Sequence, residues 1–186
     1  GITMKVLLLN GSPNSHGCTF TALDEVASAL HEAGVETELV QLGKADIRGC
    51  IGCWSCHKNG KCVFDDAVNE TAKLMRECVG LIVGSPVYFA SPNGSLLSFL
   101  DRLFASCKEF AYKPAAAVVS ARRAGTTCSL DVLYKYFSIS QMPIVTSDYW
   151  CMVHGNNPDE VRQDAEGMQM MRALGRNMAW LLKCLE

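Results

Sequence analysis

Small hydroxyl residues and glycines are concentrated over 11–19, directly after an apolar run and before apolar residues at helical spacing. Such a strand–turn–helix segment forms an anion site, because free backbone N–H groups and the helix dipole both face the ligand. Neither nucleotide motif fits: Cys18 occupies the lysine position of G-x-x-x-x-G-K-[ST], and G-x-G-x-x-G is absent. The segment therefore predicts a monophosphate site, with an ordinary capped turn as the alternative. The groups expected to bind the phosphate belong to Ser12, Asn14, Ser15, Gly17, Cys18 and Thr19.

Two later loops also follow apolar runs that are typical of buried strands. The first, over 86–94, contains Tyr88 and Phe89 between two prolines, which fix the backbone and suit the binding of a flat heteroaromatic ring. The second contains Arg122 and Arg123, which could pair with a phosphate or with an electron-rich ring edge. The alternative is that the aromatic residues cover the core and that the arginines are simply solvated.

Four cysteines with the spacing C-x2-C-x2-C-x5-C form the third candidate site. Bacterial ferredoxins bind iron–sulfur clusters with a similar C-x2-C-x2-C run, whereas structural zinc more often uses two separated C-x2-C pairs. The spacing therefore favours a 4Fe–4S cluster over zinc. Free thiols that act in redox sensing or in packing are the alternative. The proposed metal ligands are Cys50, Cys53, Cys56 and Cys62.

Composition limits the class of protein. The formal net charge of −2 gives no indication of a nucleic-acid partner, and no apolar run approaches the roughly 20 residues that span a bilayer. The 10 cysteines occur without a recognisable secretory signal, so we expect a reduced, cytoplasmic protein and not a disulfide scaffold.

The elements that must position these sites alternate between strand and helix. Short connections between them predict a parallel sheet covered on both faces, in a single domain over 1–186 with a cysteine-rich loop at about 47–63. Ligands of such sheets bind beyond the carboxyl ends of the strands. The loops after the first, third and fourth predicted strands begin there. The strands are expected at 5–9, 36–41, 80–85, 115–120 and 143–149. The helices are expected at 19–33, 66–78, 96–104, 130–137 and 157–185.

The loops together resemble the flavodoxin-like NAD(P)H-dependent FMN reductase family, and within it the iron–sulfur flavoproteins. The resemblance is carried by Gly11-Ser12-Pro13, by Ser85-Pro86-Val87-Tyr88 and by the loop from Ser120 to Gly125. It implies a flavodoxin-like three-layer α/β sandwich whose five-stranded parallel sheet has the order 2-1-3-4-5. It places the FMN phosphate on Ser12, Asn14, Cys18 and Thr19. It places the isoalloxazine on Pro86, Val87, Tyr88, Phe89, Asn93, Ser120, Ala121, Arg122, Arg123 and Gly125.

The sequence departs from the family at two phosphate-loop positions. Asn14 stands where the family often has a basic residue, and Cys18 stands where it has asparagine or serine. We therefore expect the helix dipole to carry more of the interaction with the phosphate.

The resemblance also implies a function. We expect an FMN-dependent oxidoreductase that passes electrons from NAD(P)H through FMN to a small-molecule or protein acceptor, and no side-chain acid or base is required. The alternatives are an iron–sulfur flavoprotein that relays electrons from ferredoxin and a redox sensor that uses the four thiols. A homodimer or homotetramer is expected.

Overall fold

The computed structural model describes residues 3–186, so Gly1 and Ile2 of the expected domain lie outside the described residues. Strands and helices alternate along this part of the chain, as predicted. The strands are β1 (Lys5–Asn10), β2 (Glu36–Gln41), β3 (Gly80–Tyr88), β4 (Ser91–Pro92), β5 (Ala115–Ala121) and β6 (Met152–His154). The helices are α1 (Cys18–Glu32), α2 (Ser55–Asn59), α3 (Ala67–Glu77), α4 (Gly94–Ser106), α5 (Thr126–Ile139), α6 (Pro158–Gln163) and α7 (Ala165–Cys184).

The sheet has the order β2-β1-β3-β5-β6, with every neighbouring pair parallel. The short strand β4 pairs only with β3, in antiparallel orientation. When β4 is left out of the numbering, this is the expected order 2-1-3-4-5, so the predicted fold is confirmed. The order reverses beside β1, which places the carboxyl ends of β1 and β3 at the topological switch point.

The central strands are buried on both faces, which explains why they are continuous apolar runs. In β1, Val6 and Leu8 pack against the helices α1 and α7, while Leu7 and Leu9 pack on the opposite face with α3, α4 and α5. The methionines of α7 belong to the core on the face of the sheet that α1 and α7 cover, where Met171 and Met178 are fully buried. No helix within residues 3–186 combines the length and apolar character needed to cross a membrane.

The predicted fifth strand over 143–149 is wrong. Only Ile144 forms a bridge to Ala115, after which the chain leaves the sheet and returns as β6. Ser147 explains part of the interruption, because its hydroxyl donates to the carbonyl of Tyr149 and accepts from the backbone N–H of the same residue. Such local side-chain bonds compete with pairing in a sheet.

Three other boundaries differ from the prediction. The last helix is two helices, because the carboxylate of Asp164 accepts a hydrogen bond from the N–H of Gly167 and so starts α7. The short helix α2 was not predicted. The loop expected over 86–94 is instead largely a hairpin, in which β3 extends to Tyr88 and pairs with β4.

Candidate functional site

Polar side chains at the carboxyl ends of β1 and β2 form hydrogen bonds to the phosphate loop (residues 11–19). Asn10 is fully buried, and its Oδ1 accepts from the N–H of Ser12 at 3.0 Å. Its Nδ2 donates to Oε1 of Gln41 at 2.6 Å, and Gln41 in turn donates to the carbonyl of Ser15 at 2.9 Å. Ser12 is buried and accepts from the N–H of Asn14. These bonds fix the loop from its inner side and leave Asn14 and Ser15 exposed.

The start of α1 carries no side-chain cap. Its N-cap residue is Gly17, and its first turn contains no acidic residue. In contrast, α3, α4, α6 and α7 all begin with a side chain that accepts a backbone N–H. The unpaired N–H groups of the first turn are therefore available to an anion, which is the arrangement that a phosphate requires.

An open cavity of about 660 Å³ lies over this loop and brings two unpredicted side chains to it. It is lined by Asn14, Ser15 and Gly17 of the phosphate loop, and also by His16 and by Lys44 from the segment after β2. Sequence spacing could not place Lys44 here, because its position depends on the pairing of β1 with β2. A cationic side chain therefore lies beside this loop, although position 14 itself is asparagine.

Thr19 does not face this cavity. It is buried, and its Oγ1 lies 2.8 Å from Oγ of Ser120, at the end of β5. Cys18 is half-buried, with Sγ 3.7 Å from the carbonyl of Gly155, and burial raises the pKa of its thiol. The side chains of Cys18 and Thr19 thus connect the phosphate loop to the segments that follow β6 and end β5. Their backbone N–H groups belong to the first turn of α1.

The hairpin between β3 and β4 presents its aromatic residues to solvent. Phe89 is 105% exposed and Tyr88 is 44% exposed, so neither covers the core. Phe89 and Ala90 occupy the turn with φ of 52° and 58°. Val87 is half-buried at the base of the hairpin. These aromatic side chains are therefore accessible to a flat ligand at the edge of the sheet.

Hydrogen bonds and one close contact bring the three predicted loops together. Asn93 donates from Nδ2 to the carbonyl of Gly11 at 2.8 Å, and its N–H donates to Oγ of Ser85 at 3.0 Å. Gly125 has φ of +91°, and a Cβ there would lie 2.7 Å from Cα of Ala90. The phosphate loop, the hairpin and the β5–α5 loop therefore share one edge of the sheet, as the sequence predicts.

The β5–α5 loop exposes both of its arginines. Arg122 and Arg123 form no ion pair with a carboxylate of residues 3–186. Ser120 and Ala121 are buried at the end of β5. His154, at the end of β6, lies with Nε2 3.1 Å from the carbonyl of Arg123 and therefore adjoins the same loop. Like α1, the helix α5 starts at a glycine and has no side-chain cap.

The four predicted metal ligands line a second cavity. Cys50 and Cys53 are exposed, whereas Cys56 and Cys62 are half-buried. Trp54 also lines the cavity, and its φ of 60° turns the chain into α2 between two of the cysteines. His57 is exposed and does not line the cavity.

These four thiols do not form a site for a single metal ion. Among residues 3–186, no three cysteine, histidine or acidic side chains are gathered closely enough to hold a single metal ion. Each cysteine of a 4Fe–4S cluster binds a different iron atom, so its sulfurs lie farther apart than the ligands of one ion. Four thiols around one cavity are therefore compatible in donor chemistry with a cluster.

Comparisons with known proteins agree with this geometry. The model of a family described as NADPH-dependent FMN reductase matches residues 4–157. An iron–sulfur flavoprotein of Methanocaldococcus jannaschii is 32% identical over 192 residues, which cover 98% of this chain and 100% of that protein. A second iron–sulfur flavoprotein of the same organism is 26% identical and covers 91% of this chain and 92% of its own.

A solved structure supports the fold alone. RosB, with bound 8-demethyl-8-formylriboflavin-5′-phosphate, superimposes with a TM-score of 0.80 at 16% identity. The superposition covers 98% of this chain and 80% of that chain.

Proposed function

Because this chain belongs to the NADPH-dependent FMN reductase family, we propose that it is a flavin oxidoreductase that binds FMN at the carboxyl ends of β1, β3 and β5. The observation that carries this proposal is the uncapped start of α1 beneath an open cavity, with two further loops tied beside it. The N–H groups of α1 bind the phosphate, and the hairpin and β5–α5 loop bind the ring. FMN, when bound, supplies hydride transfer and single-electron transfer.

The work of the protein residues in this site is to bind and to orient. The phosphate loop is fixed to the sheet by Asn10 and Gln41, and it is tied to the start of α4 by Asn93. The phosphate and ring subsites therefore keep a constant separation. Arg122 and Arg123 provide positive charge beside the ring subsite, which favours an electron-rich ring edge and anionic substrates. The exposed Phe89 and Tyr88 leave one side of the subsite open to a second flat molecule.

We propose NAD(P)H as the electron donor and a small molecule or a protein as the acceptor. The test is stopped-flow reduction of the FMN-loaded protein by NADH, by NADPH and by reduced ferredoxin in parallel. Faster reduction by a pyridine nucleotide than by ferredoxin supports an NAD(P)H-dependent enzyme. The opposite order contradicts it and supports a relay that receives its electrons from ferredoxin.

The cysteine cavity favours a second redox group. We propose that Cys50, Cys53, Cys56 and Cys62 hold a 4Fe–4S cluster, because all four line one cavity and because the two relatives are named iron–sulfur flavoproteins. Such a cluster transfers single electrons, so a flavin and a cluster together convert electron pairs into single electrons.

The cluster is tested by anaerobic purification followed by measurement of iron, sulfide and flavin per chain. We expect about four iron atoms per chain in the protein and fewer in Cys53→Ser. Cys184→Ser is the matched control, because Cys184 is an exposed thiol at the end of α7, outside the cysteine loop. An iron-free protein whose Cys53→Ser variant loses an oxidant response would instead support the thiol sensor.

We further propose a homodimer or homotetramer that completes the flavin site. Tyr149 and Trp150 are 53% and 55% exposed, beside a cavity that also contains His154 and Asp164. This exposed aromatic pair adjoins the β5–α5 loop through His154 and is the surface that we assign to a second copy.

A further inference from the structure

Arg102 is the largest of the fully buried side chains, with 1% exposure. It lies on α4, the helix whose N-cap residue Asn93 is tied to the phosphate loop. An arginine is almost never buried to this extent unless its charge and all its donors are satisfied. Its partners therefore indicate what the buried charge holds in place.

All five N–H donors of Arg102 are directed at the segment that contains the cysteines. Nη1 and Nη2 each donate to one carboxylate oxygen of Asp66 at 2.8 Å. They also donate to the carbonyls of Arg48 at 3.3 Å and of Phe64 at 3.2 Å. Nε donates to Sγ of Cys62 at 3.3 Å. One guanidinium thus contacts the chain on both sides of the cysteine loop.

A simple ion pair would not need this arrangement. The two oxygens of Asp66 satisfy the bidentate face of the guanidinium, and its Nε–H could have bound any backbone carbonyl. The atom in that position is instead a sulfur of the four-thiol cavity, and Arg102 itself lines the same cavity. The ring of Phe64 contacts both Arg102 and Arg48, with guanidinium-to-ring distances of 5.3 Å and 4.0 Å.

We infer that Arg102 is the positioning residue of the cysteine loop: it joins the two ends of the loop and fixes Cys62 by a hydrogen bond to its sulfur. This inference rests on the proposed iron–sulfur site. With a cluster held by these thiols, the N–H donor and the positive charge of Arg102 would favour its reduced, more negative form and so raise its reduction potential.

The test uses two variants and a matched control. Arg102→Gln removes the positive charge and leaves Asp66 without its partner, whereas Asp66→Asn with Arg102→Gln keeps the net charge and an N-cap for α3. The control is Arg172→Gln, because Arg172 pairs with Glu25 at 2.9 Å on the other face of the sheet. Iron content, FMN content and Tm are measured for each, together with the separate midpoint potentials of cluster and flavin.

We expect the cluster potential to fall in the order wild type, double variant, Arg102→Gln. In the double variant the equilibrium constant for one-electron reduction should fall about tenfold, which corresponds to about 59 mV. The flavin potential and the FMN content should not change, and Arg172→Gln should match the wild type. Loss of iron from a variant that keeps its Tm and FMN also supports the inference, because the loop then no longer holds Cys62.

Iron-loaded variants with the wild-type cluster potential would overturn the inference and leave the proposed cluster intact. A wild-type protein that takes up no iron after anaerobic reconstitution would overturn the proposed cluster as well. If neither glutamine variant folds, Arg102→Lys replaces them, since lysine keeps the charge but cannot contact Asp66 and Cys62 in this forked geometry. A wild-type cluster potential in Arg102→Lys would overturn the role of the Nε–H bond.

Discussion

At the residue scale, the proposed phosphate site has a lysine beside it that comes from outside its own loop. Asn14 provides no charge, while Lys44 lines the same cavity from the segment after β2. Lys44 forms no ion pair with any carboxylate of residues 3–186. A phosphate ester with a charge of about −1.5 to −2 at neutral pH is the natural partner for this side chain.

Lys44→Gln should therefore weaken FMN binding without affecting the ring subsite. An exposed charge pair contributes up to about 1 kcal/mol, so the Kd for FMN should rise about fivefold. The Kd for riboflavin, which lacks the phosphate, should stay the same, and both are measured by fluorescence titration. Lys108→Gln, at an exposed lysine beyond the end of α4, is the control. An equal loss for both flavins would contradict the role of Lys44.

Gly125 gives a second test at a single residue. Gly125→Ala places a Cβ 2.7 Å from Cα of Ala90, at φ of +91°, whereas Gly34→Ala meets nothing within 4 Å at φ of +82°. Both changes should cost about 1 kcal/mol of backbone strain, and only Gly125→Ala should cost about 2 kcal/mol more from the contact with the hairpin. Thermal unfolding and FMN titration measure both effects. Equal losses of stability and unchanged FMN binding in the two variants would show that this contact does not position the hairpin.

At the element scale, the helices differ in how they begin. The helices α1 and α5 begin at glycines beside the proposed FMN site and have no side-chain cap. The helix α3 begins at Asp66, which accepts from the N–H of Val68 and pairs with Arg102. Although partial burial acts to raise the pKa of Asp66, the hydrogen bonds from Arg102 and Val68 and the guanidinium charge hold it below its usual value.

This lowered pKa predicts how stability depends on pH. Because the folded pKa lies below the unfolded value of about 3.9, the charged Asp66 stabilises the fold above about pH 4, and this contribution is lost as pH falls through the folded pKa. Asp66→Asn should cost about 2 kcal/mol near neutral pH, less than for a fully buried pair, because Asp66 is about one-third exposed. Urea unfolding of the iron-free protein across pH measures this.

The difference between wild type and Asp66→Asn should shrink as the pH falls below about 4. Asp159→Asn is the control, since the ion pair of Asp159 with Arg162 lies on the surface and contributes little. A difference that stays constant across this pH range would contradict the charged pairing of Asp66.

Comparison of expected and observed elements shows what the sequence could reveal. The positions of buried strands such as β1 and β5 could be predicted, because a continuous apolar run is visible in the local sequence without knowledge of distant contacts. The edge strand β6 was misplaced, since the prediction could not detect that the bonds of Ser147 turn the chain out of the sheet. Asp164 is a residue type that favours N-caps, but its bond to the N–H of Gly167 interrupts a pattern that otherwise predicts one long helix. Lys44 and Arg102 act only through tertiary contacts, so no local pattern could assign them.

At the scale of the whole molecule, the proposed assembly can be tested with two exposed tryptophans. Trp150 lines the same cavity as His154 and is 55% exposed, while Trp180 lies on α7 and is 67% exposed. Trp150→Ser should shift the protein toward monomers and weaken FMN binding, and Trp180→Ser should do neither. Sedimentation velocity over a concentration series measures the assembly. A monomeric wild type, or equal behaviour of the two variants, would contradict the assigned surface.

The binding of FMN is the claim on which the rest of the account depends. At a free FMN concentration of 100 times Kd, ligand binding to the native state should add about 2.7 kcal/mol to the free energy of unfolding. For a chain of this size, Tm should rise by about 5–10 °C. Thermal unfolding with and without FMN, together with the flavin content of the purified protein, tests this directly. A protein that carries no flavin and whose Tm is unchanged by excess FMN would contradict the account.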